Sequence, residues 1–293
     1  MPSSFRSALA DRFRILLPAR YRTMRPVVAV VRLSGVIGAV MPFKQGLSIS
    51  SLATALERAF AVRDVKAVAL VVNSPGGSAV QSHLIFSRVR ALADEKKVPV
   101  FAFIEDAGAS GGYMLACAGD EIFADPSSVV GSIGVVSAGF GLDKLIERFG
   151  IERRLHAMGS QKGMLDPFRP ERPEDVERLR TIQMRIHEKF IALVETRRGE
   201  RLKGARDVLF SGAVWAGAEA VELGLIDGLG DLRGVMRERF GEKVQLKIVA
   251  AAKGGLLARL MDRREPTIET GLIDPGAVIA ALEERAAWAR FGL

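Results

Sequence analysis

The sequence predicts an α/β protein in which a parallel β-sheet is flanked by helices. Short apolar runs bounded by turns alternate along the chain with amphipathic segments, and this alternation is typical of parallel strands joined by crossover helices. Hydrophobic residues make up 48% of the 293 residues, which is ample for a buried core. Because no internal repeat or low-complexity linker interrupts the pattern, we expect one main domain with additions at its ends.

The order of the elements follows from the periodicity of the apolar residues. Strands are predicted at residues 27–33, 67–72, 98–104, 151–158 and 244–251. Helices are predicted at residues 49–60, 80–93, 113–118, 172–199, 214–223, 232–240 and 277–289. The long helix opens with Pro173 and acidic residues and closes near Gly199, as helix termini commonly do.

The first 25 residues form a basic arm. They contain six arginines and one aspartate, so about five of the eight net positive charges of the chain lie there. Apolar residues recur in the arm at helical spacing: Phe5, Leu9, Phe13, Leu16 and Leu17. This pattern predicts a basic amphipathic helix, which either lies on an anionic membrane surface or packs on protein.

Composition argues against several other classes of protein. Outside the arm the charge is near balance and no basic stripe with interleaved aromatic residues appears, which disfavours nucleic-acid binding. The single cysteine, Cys117, excludes an internal disulfide and is predicted to be a buried structural thiol. No apolar stretch approaches the ~20 residues of a membrane span, and arginines interrupt any signal-peptide core. We therefore expect a cytoplasmic protein, with peripheral contact at the inner membrane face as an option through the arm.

A serine on a glycine-rich turn is the first candidate for chemistry. Residues 106–113 (DAGASGGY) follow a predicted strand and precede a helix-compatible stretch. The turn brings the Ser110 hydroxyl beside the first N–H groups of a helix, where negative charge is favoured. Ser110 is therefore a candidate nucleophile, and a helix N-cap is its alternative role.

A second glycine-rich turn, residues 73–78 (NSPGGS), also follows a strand and precedes a helix. Two such turns on neighbouring parallel strands would meet at one edge of the sheet, where ligands bind in open α/β sheets. The second turn would then supply backbone N–H groups for an oxyanion hole. Gly76 or Gly77, together with Gly111, are the candidate donors; taken alone, residues 73–78 would be an ordinary β-turn.

The base that would activate Ser110 is open at this point. Residues 108–112 satisfy G-x-S-x-G, a pattern that calls for a downstream histidine. The three histidines, His83, His156 and His187, fall on predicted helices or a short strand, where structural roles explain them. The alternative is Lys162, which lies in a loop poor in charge and would need desolvation to lose its proton near neutral pH.

The ordered set of motifs resembles one family, signal peptide peptidase A and its relatives, the S49 serine peptidases. The resemblance runs from about residue 26 to about residue 240. It is carried by residues 73–77 (NSPGG), 109–113 (ASGGY), 130–135 (VGSIGV), Lys162 followed by 166–168 (DPF), and Gly212, Trp215, Ala218, Ala220 and 224–227 (GLID).

The resemblance implies a fold and a mechanism. The fold would be ClpP/crotonase-like, with stacked ββα units, a parallel sheet and flanking helices. Ser110 would be the nucleophile and Lys162 the general base of a Ser–Lys dyad, with Ser132 holding the lysine amine. Gly76 or Gly77 and Gly111 would bind the oxyanion, and no metal or other cofactor would be needed.

The resemblance also implies partners. Peptide substrates would be extended, such as signal-peptide remnants or unfolded polypeptides, and the chain would assemble into a homo-oligomeric ring. Unlike typical family members, this sequence shows no membrane anchor before the catalytic domain, which puts the signal-peptide substrate in doubt. The expected organisation is an arm at 1–25, a peptidase domain at 26–250 and a helical extension at 251–293.

Three rival functions stay open on the sequence. One is a ClpP-type peptidase or α/β-hydrolase that uses histidine as its base. Another is a crotonase-like acyl-CoA enzyme that uses the oxyanion hole without a nucleophile. The last is a catalytically silent scaffold, against which the intact Ser110, Lys162 and glycine turns argue.

Overall fold

A computed structural model describes residues 25–38, 46–250 and 285–292. It confirms the predicted α/β class, since a mostly parallel sheet is flanked by helices. The predicted arm helix lies outside the described residues, as does most of the C-terminal extension. Residues 285–289 are helical, in agreement with the end of the predicted 277–289 helix.

The strands and helices have the following bounds in chain order. The strands are β1 Val27–Ser34, β2 Val65–Ser74, β3 Val100–Ala109, β4 Glu121–Ala124, β5 Val129–Gly131, β6 Val214–Ala216, β7 Gly228–Leu229 and β8 Gln245–Ile248. The helices are α1 Ile49–Phe60, α2 Ala79–Lys96, α3 Gly111–Ala116, α4 Asp143–Arg148, α5 Pro173–Arg198, α6 Arg206–Leu209, α7 Gly217–Glu222 and α8 Leu232–Phe240, with a 3₁₀ turn at Gly199–Arg201. Among the helices within the described ranges, none has the length and apolarity that crossing a bilayer requires.

The sheet has the order β6-β5-β3-β2-β1-β8, with β4 and β7 off this path. On the side away from β2, strand β3 has two partners. Its first half pairs with β4 and its second half with β5. All pairings are parallel except that between β5 and β6. Because β2 and β3 are parallel neighbours, the loops that follow them emerge at the same edge of the sheet.

Side chains from alternate positions of β1 enter two apolar clusters, one on each face of the sheet. Ala29 and Val31 join the larger cluster, which includes residues from α1, α2, α3 and α5. Val28 and Val30 join the smaller one, beneath α8. Cys117 is buried in the larger cluster, where desolvation raises the pKa of its thiol to about 12. This confirms the prediction of a structural thiol.

The structure corrects three sequence predictions. Residues 151–157 form no strand; they are exposed and pair with no other described segment. The helix predicted at 214–223 begins as strand β6, because Trp215 pairs with Val130 of β5, and only then turns into α7. Strand β3 continues past the predicted end at 104 to Ala109, since its second half gains β5 as a neighbour.

Candidate active site

Ser110 lies at the junction of β3 and α3 in a conformation that serine rarely adopts. Its φ and ψ angles are 52° and −120°, and the positive φ is costly for any residue with a Cβ. Its N–H donates to the Gly131 carbonyl at 2.8 Å, which holds the strained turn against β5. The side chain makes no capping hydrogen bond to α3. The alternative role of Ser110 as a side-chain N-cap is therefore wrong.

The two glycine-rich turns meet, as predicted. A Cβ atom added to Gly76 would lie 2.8 Å from the Ser110 Cβ and 3.0 Å from the Gly111 nitrogen. One added to Gly77 would lie 2.2 Å from the carbonyl oxygen of Ile37. Both glycines also have positive φ angles, so other residues are excluded there by conformation as well as by space.

The backbone N–H groups of the two turns differ in what they bind. The Gly76 N–H donates to the Ser74 hydroxyl at 3.2 Å, and that hydroxyl donates in turn to the Gly35 carbonyl at 2.7 Å. The Gly77 and Gly111 N–H groups have no hydrogen-bond acceptor among the described residues. Two unoccupied donors therefore lie in the turns that surround Ser110.

Ser132 lies beside Ser110 at the end of the neighbouring strand. Ala109 and Gly131 are register partners, so Ser110 and Ser132 occupy the next positions beyond β3 and β5. Ser132 is buried, and its φ of 53° nearly equals that of Ser110. Its N–H donates to the Ala213 carbonyl at 2.7 Å. Its hydroxyl makes no hydrogen bond to another described residue, and since no fully buried polar side-chain atom among these residues lacks a partner, this oxygen retains access to solvent.

Lys162 is not brought to Ser110 within this chain. It lies in a loop of turns between α4 and α5, with an exposed side chain and with its N–H donating to the Gly159 carbonyl at 3.1 Å. Its amine makes no hydrogen bond to Ser110 or Ser132 and no ion pair with any described residue. The structure thus gathers Ser110, Ser132 and the glycines at one edge of the sheet, and pairing with Lys162 stays a prediction.

The three histidines make no hydrogen bond to Ser110. His83 and His156 are exposed. The Nε2 atom of His187 lies 3.0 Å from the Ile133 carbonyl oxygen, and because a carbonyl only accepts, this nitrogen must carry the proton. In the described ranges, no three His, Cys, Asp or Glu side chains are grouped so that they could hold a metal ion.

Two features that support the site were missed from the sequence. The Asn73 amide donates to Asp106 at 2.6 Å and accepts the Ala107 N–H at 3.2 Å, which ties the end of β2 to β3 just before Ser110. The buried Tyr113 hydroxyl donates to the Leu225 carbonyl at 2.6 Å and fixes α3, and its burial raises the pKa of the phenol. Polar residues inside otherwise apolar strands were the available signal for the first of these.

Comparison with known proteins identifies the class. The family model described as Peptidase family S49 matches residues 92–246, slightly more than half of the chain. The chain belongs to this family.

Several curated relatives that the chain matches are longer than the chain. A protein of Brucella abortus named Na(+)/H(+) antiporter NhaA is 47% identical over 302 residues, which cover 99% of this chain and 40% of that protein. The chloroplastic serine protease SPPA of Arabidopsis thaliana is 33% identical over 71% of this chain and 31% of its own length. A putative signal peptide peptidase SppA of Enterococcus faecium is 32% identical over 57% of this chain and 48% of its own length. The chain thus spans less than half the length of each.

Among solved structures, similarity is found to a mutant of the 1510-N membrane-bound stomatin-specific protease in complex with a substrate peptide. It is 16% identical with a TM-score of 0.48, over 82% of this chain and 97% of that one. The family assignment therefore comes from the sequence match to the family model.

Proposed function

We propose that this chain is a serine endopeptidase in which Ser110 attacks the peptide carbonyl and Lys162 is the general base. The observation that carries the proposal is the Ser110 turn: an uncapped serine, held at positive φ where two glycine turns meet. Strain at a functional position persists only where the surrounding structure imposes it. Membership of Peptidase family S49 supports hydrolysis of peptide bonds.

The oxyanion hole would consist of the Gly77 and Gly111 N–H groups. Gly76 is the weaker candidate, because its N–H is already used by the Ser74 hydroxyl. A tetrahedral oxyanion gains most from donors that are fixed in place before the reaction, and removal of one such donor costs about 10²–10³ in kcat in other enzymes. The packing of Gly77 against Ile37 supplies that rigidity.

The reaction would run in two stages. The neutral Lys162 amine takes the proton of the Ser110 hydroxyl as its oxygen attacks, and the resulting ammonium then protonates the leaving amine. Water, deprotonated by the same amine, hydrolyses the acyl-enzyme and regenerates Ser110. The Ser132 hydroxyl, next to Ser110 and free within the described part of the chain, would orient the amine.

Lys162 must be desolvated to serve as a base near neutral pH. In the single chain it is exposed, yet the segment around it carries large exposed apolar side chains, among them Phe140 at 84% and Met158 at 94% exposure. Monomeric proteins rarely expose so many apolar groups in one stretch. We infer that this segment, residues 136–168, is covered in a homo-oligomer, which brings Lys162 to a Ser110 hydroxyl.

The substrates would be extended peptides, such as signal-peptide remnants or unfolded polypeptides. A cytoplasmic location with peripheral contact at the inner membrane face through residues 1–25 goes with this proposal. Co-sedimentation of the full chain with anionic vesicles, lost in a chain that starts at Pro26, would support the contact. Equal sedimentation of both chains would contradict it.

Covalent trapping tests the nucleophile. A serine-directed fluorophosphonate should modify Ser110 alone, and peptide mapping by mass spectrometry would locate the adduct. Ser110→Ala should abolish labelling, whereas the exposed Ser127→Ala should not change it. Labelling that persists in Ser110→Ala would contradict the proposal, and unlabelled Ser110 in a chain that binds acyl-CoA would favour the crotonase-like alternative.

A further inference from the structure

The loop that carries Lys162 is anchored by a buried carboxylate at the start of α5. We propose that Asp175, neutralised by Arg172, is a positioning residue: it fixes the Lys162 loop while keeping its own negative charge from the lysine amine. This inference rests on the proposed role of Lys162 as the base.

Asp175 is the one buried carboxylate among the described residues, with an exposed fraction of 2%. Its Oδ2 atom accepts the N–H of Leu165, three residues beyond Lys162, at 3.3 Å. Arg172 donates to both carboxylate oxygens, at 2.6 and 3.0 Å. A buried carboxylate that accepts a loop N–H and is also bound bidentately by an arginine is a rigid attachment.

The anchor matters because the loop has few other attachments. Leu165 has a positive φ of 56°, a conformation that an unrestrained leucine would leave. A groove of about 610 Å³ lies between the loop and residues 137–143, and the Leu142 N–H bridges it to the Pro167 carbonyl at 2.6 Å. A further tether is Asp166, which accepts the Phe168 N–H at 3.1 Å and is paired with Arg153 at 3.0 Å.

The same pairs neutralise the carboxylates of the Lys162 loop and of its anchor. A carboxylate facing the lysine would stabilise its ammonium and raise its pKa, which is the wrong direction for a base. Here the carboxylates of the loop and its anchor are both neutralised: the Phe168 N–H and then Arg153 hold the pKa of Asp166 below its usual range, and Arg172 does the same for Asp175. The charged and titratable groups of the loop and of the segments beside it are Asp143, Glu152, Arg153, Arg154, His156, Asp166, Arg169, Glu171, Arg172, Glu174 and Asp175.

Opposite charge changes at the pair should shift the pH profile in opposite directions. Arg172→Ala leaves an unneutralised carboxylate near Lys162, so the acidic limb of kcat/KM should move to higher pH by about half a unit or more. Asp175→Asn leaves an unneutralised guanidinium, so the limb should move to lower pH. Asp175→Ala should in addition lower kcat by about 10-fold or more, because the Leu165 N–H loses its acceptor.

The matched control is Glu177→Gln, which removes an exposed carboxylate of α5 that makes no ion pair with a described residue and should leave the profile unchanged. Arg172→Lys retains the charge and should restore most of the wild-type profile if Arg172→Ala folds poorly. Each variant is assayed in the assembly state of the wild type and at the same number of degrees below its own melting temperature.

Three outcomes would overturn the inference in distinguishable ways. If Lys162→Ala abolishes turnover but Asp175→Ala and Arg172→Ala keep the wild-type kcat and pH profile, only the positioning role is wrong. Shifts of both pair variants in the same direction would likewise contradict it. If Lys162→Ala retains activity, the proposed base is wrong, and the role of Asp175 falls with it.

Discussion

At the scale of single residues, the chemistry of the site depends on backbone conformations that side chains normally avoid. Ser110 and Ser132 adopt nearly the same positive φ at the ends of adjacent strands. The sequence predicted that Ser110 lies on a tight turn, because glycines flank it on both sides. It could not predict that the Gly76 N–H donates to the Ser74 hydroxyl, because the position of that hydroxyl depends on its own hydrogen bond to the Gly35 carbonyl.

The strain at Ser110 gives a stability prediction. Ser110→Gly should be more stable than Ser110→Ala by about 1 kcal/mol, because glycine tolerates positive φ and alanine does not. Both variants should be inactive, so activity cannot account for the difference. Urea unfolding of the two variants measures it. Equal stability, or a more stable alanine variant, would mean that the turn is unstrained.

At the scale of elements, prediction succeeded where local signals were complete. Helices α1 and α8 have the predicted bounds, since Ser48 and Asp231 cap them through side-chain hydrogen bonds. Strands β5 and β6 were missed because three residues are too few to show a period, and their pairing is specified by distant neighbours. The strand predicted at 151–158 had suitable side chains but no edge to pair with among the described strands.

The C-terminal end of α5 is joined to the loop before β7 by a buried ion pair. Arg198 is 2% exposed and binds Asp227 at 2.7 and 3.1 Å. Burial opposes ionisation of Asp227, but the hydrogen bond and charge of Arg198 prevail and lower its pKa. The stabilisation is therefore present at neutral pH and is lost as the pH falls through the lowered pKa in the folded state.

Arg198→Met should accordingly destabilise the fold by about 2 kcal/mol at pH 7, because Asp227 then keeps only the more exposed Arg201 as an ionic partner. The deficit should shrink toward acidic pH, where Asp227 is protonated in both proteins. Urea unfolding at several pH values measures it. The control is Arg206→Met, which breaks the exposed pair with Glu195 and should change stability by less than about 0.5 kcal/mol. A pH-independent deficit would show that lost packing is the cause.

At the scale of the whole molecule, the account requires more than one chain. The single chain brings Ser110, Ser132 and the glycine turns with Gly77 and Gly111 to one edge of the sheet, but not Lys162. Only the resemblance to a family suggested Lys162 as the base. No local sequence pattern could predict whether it meets Ser110 of the same chain or of a neighbouring one, because that depends on contacts outside the single chain.

Mixing inactive variants tests whether the dyad forms between chains. If Lys162 of one chain activates Ser110 of its neighbour, co-assembly of Ser110→Ala with Lys162→Ala chains should restore roughly a quarter of wild-type activity, since a quarter of randomly formed interfaces contain both intact residues. The mixture is dissociated and reassembled before its peptidase rate is measured. No recovery in a properly assembled mixture would indicate that the dyad forms within one chain.

The central claim is that Lys162 is the base for Ser110, and the most direct measurement is the rate of peptide cleavage by Lys162→Ala. Wild type, Ser110→Ala, Lys162→Ala and the exposed-lysine control Lys243→Ala are compared at equal assembly state across a range of pH. We expect Ser110→Ala and Lys162→Ala each to lose at least about 10³-fold in kcat, while Lys243→Ala keeps wild-type activity. Lys162→Ala that cleaves peptide at the wild-type rate, with activity lost instead in a histidine variant, would contradict it.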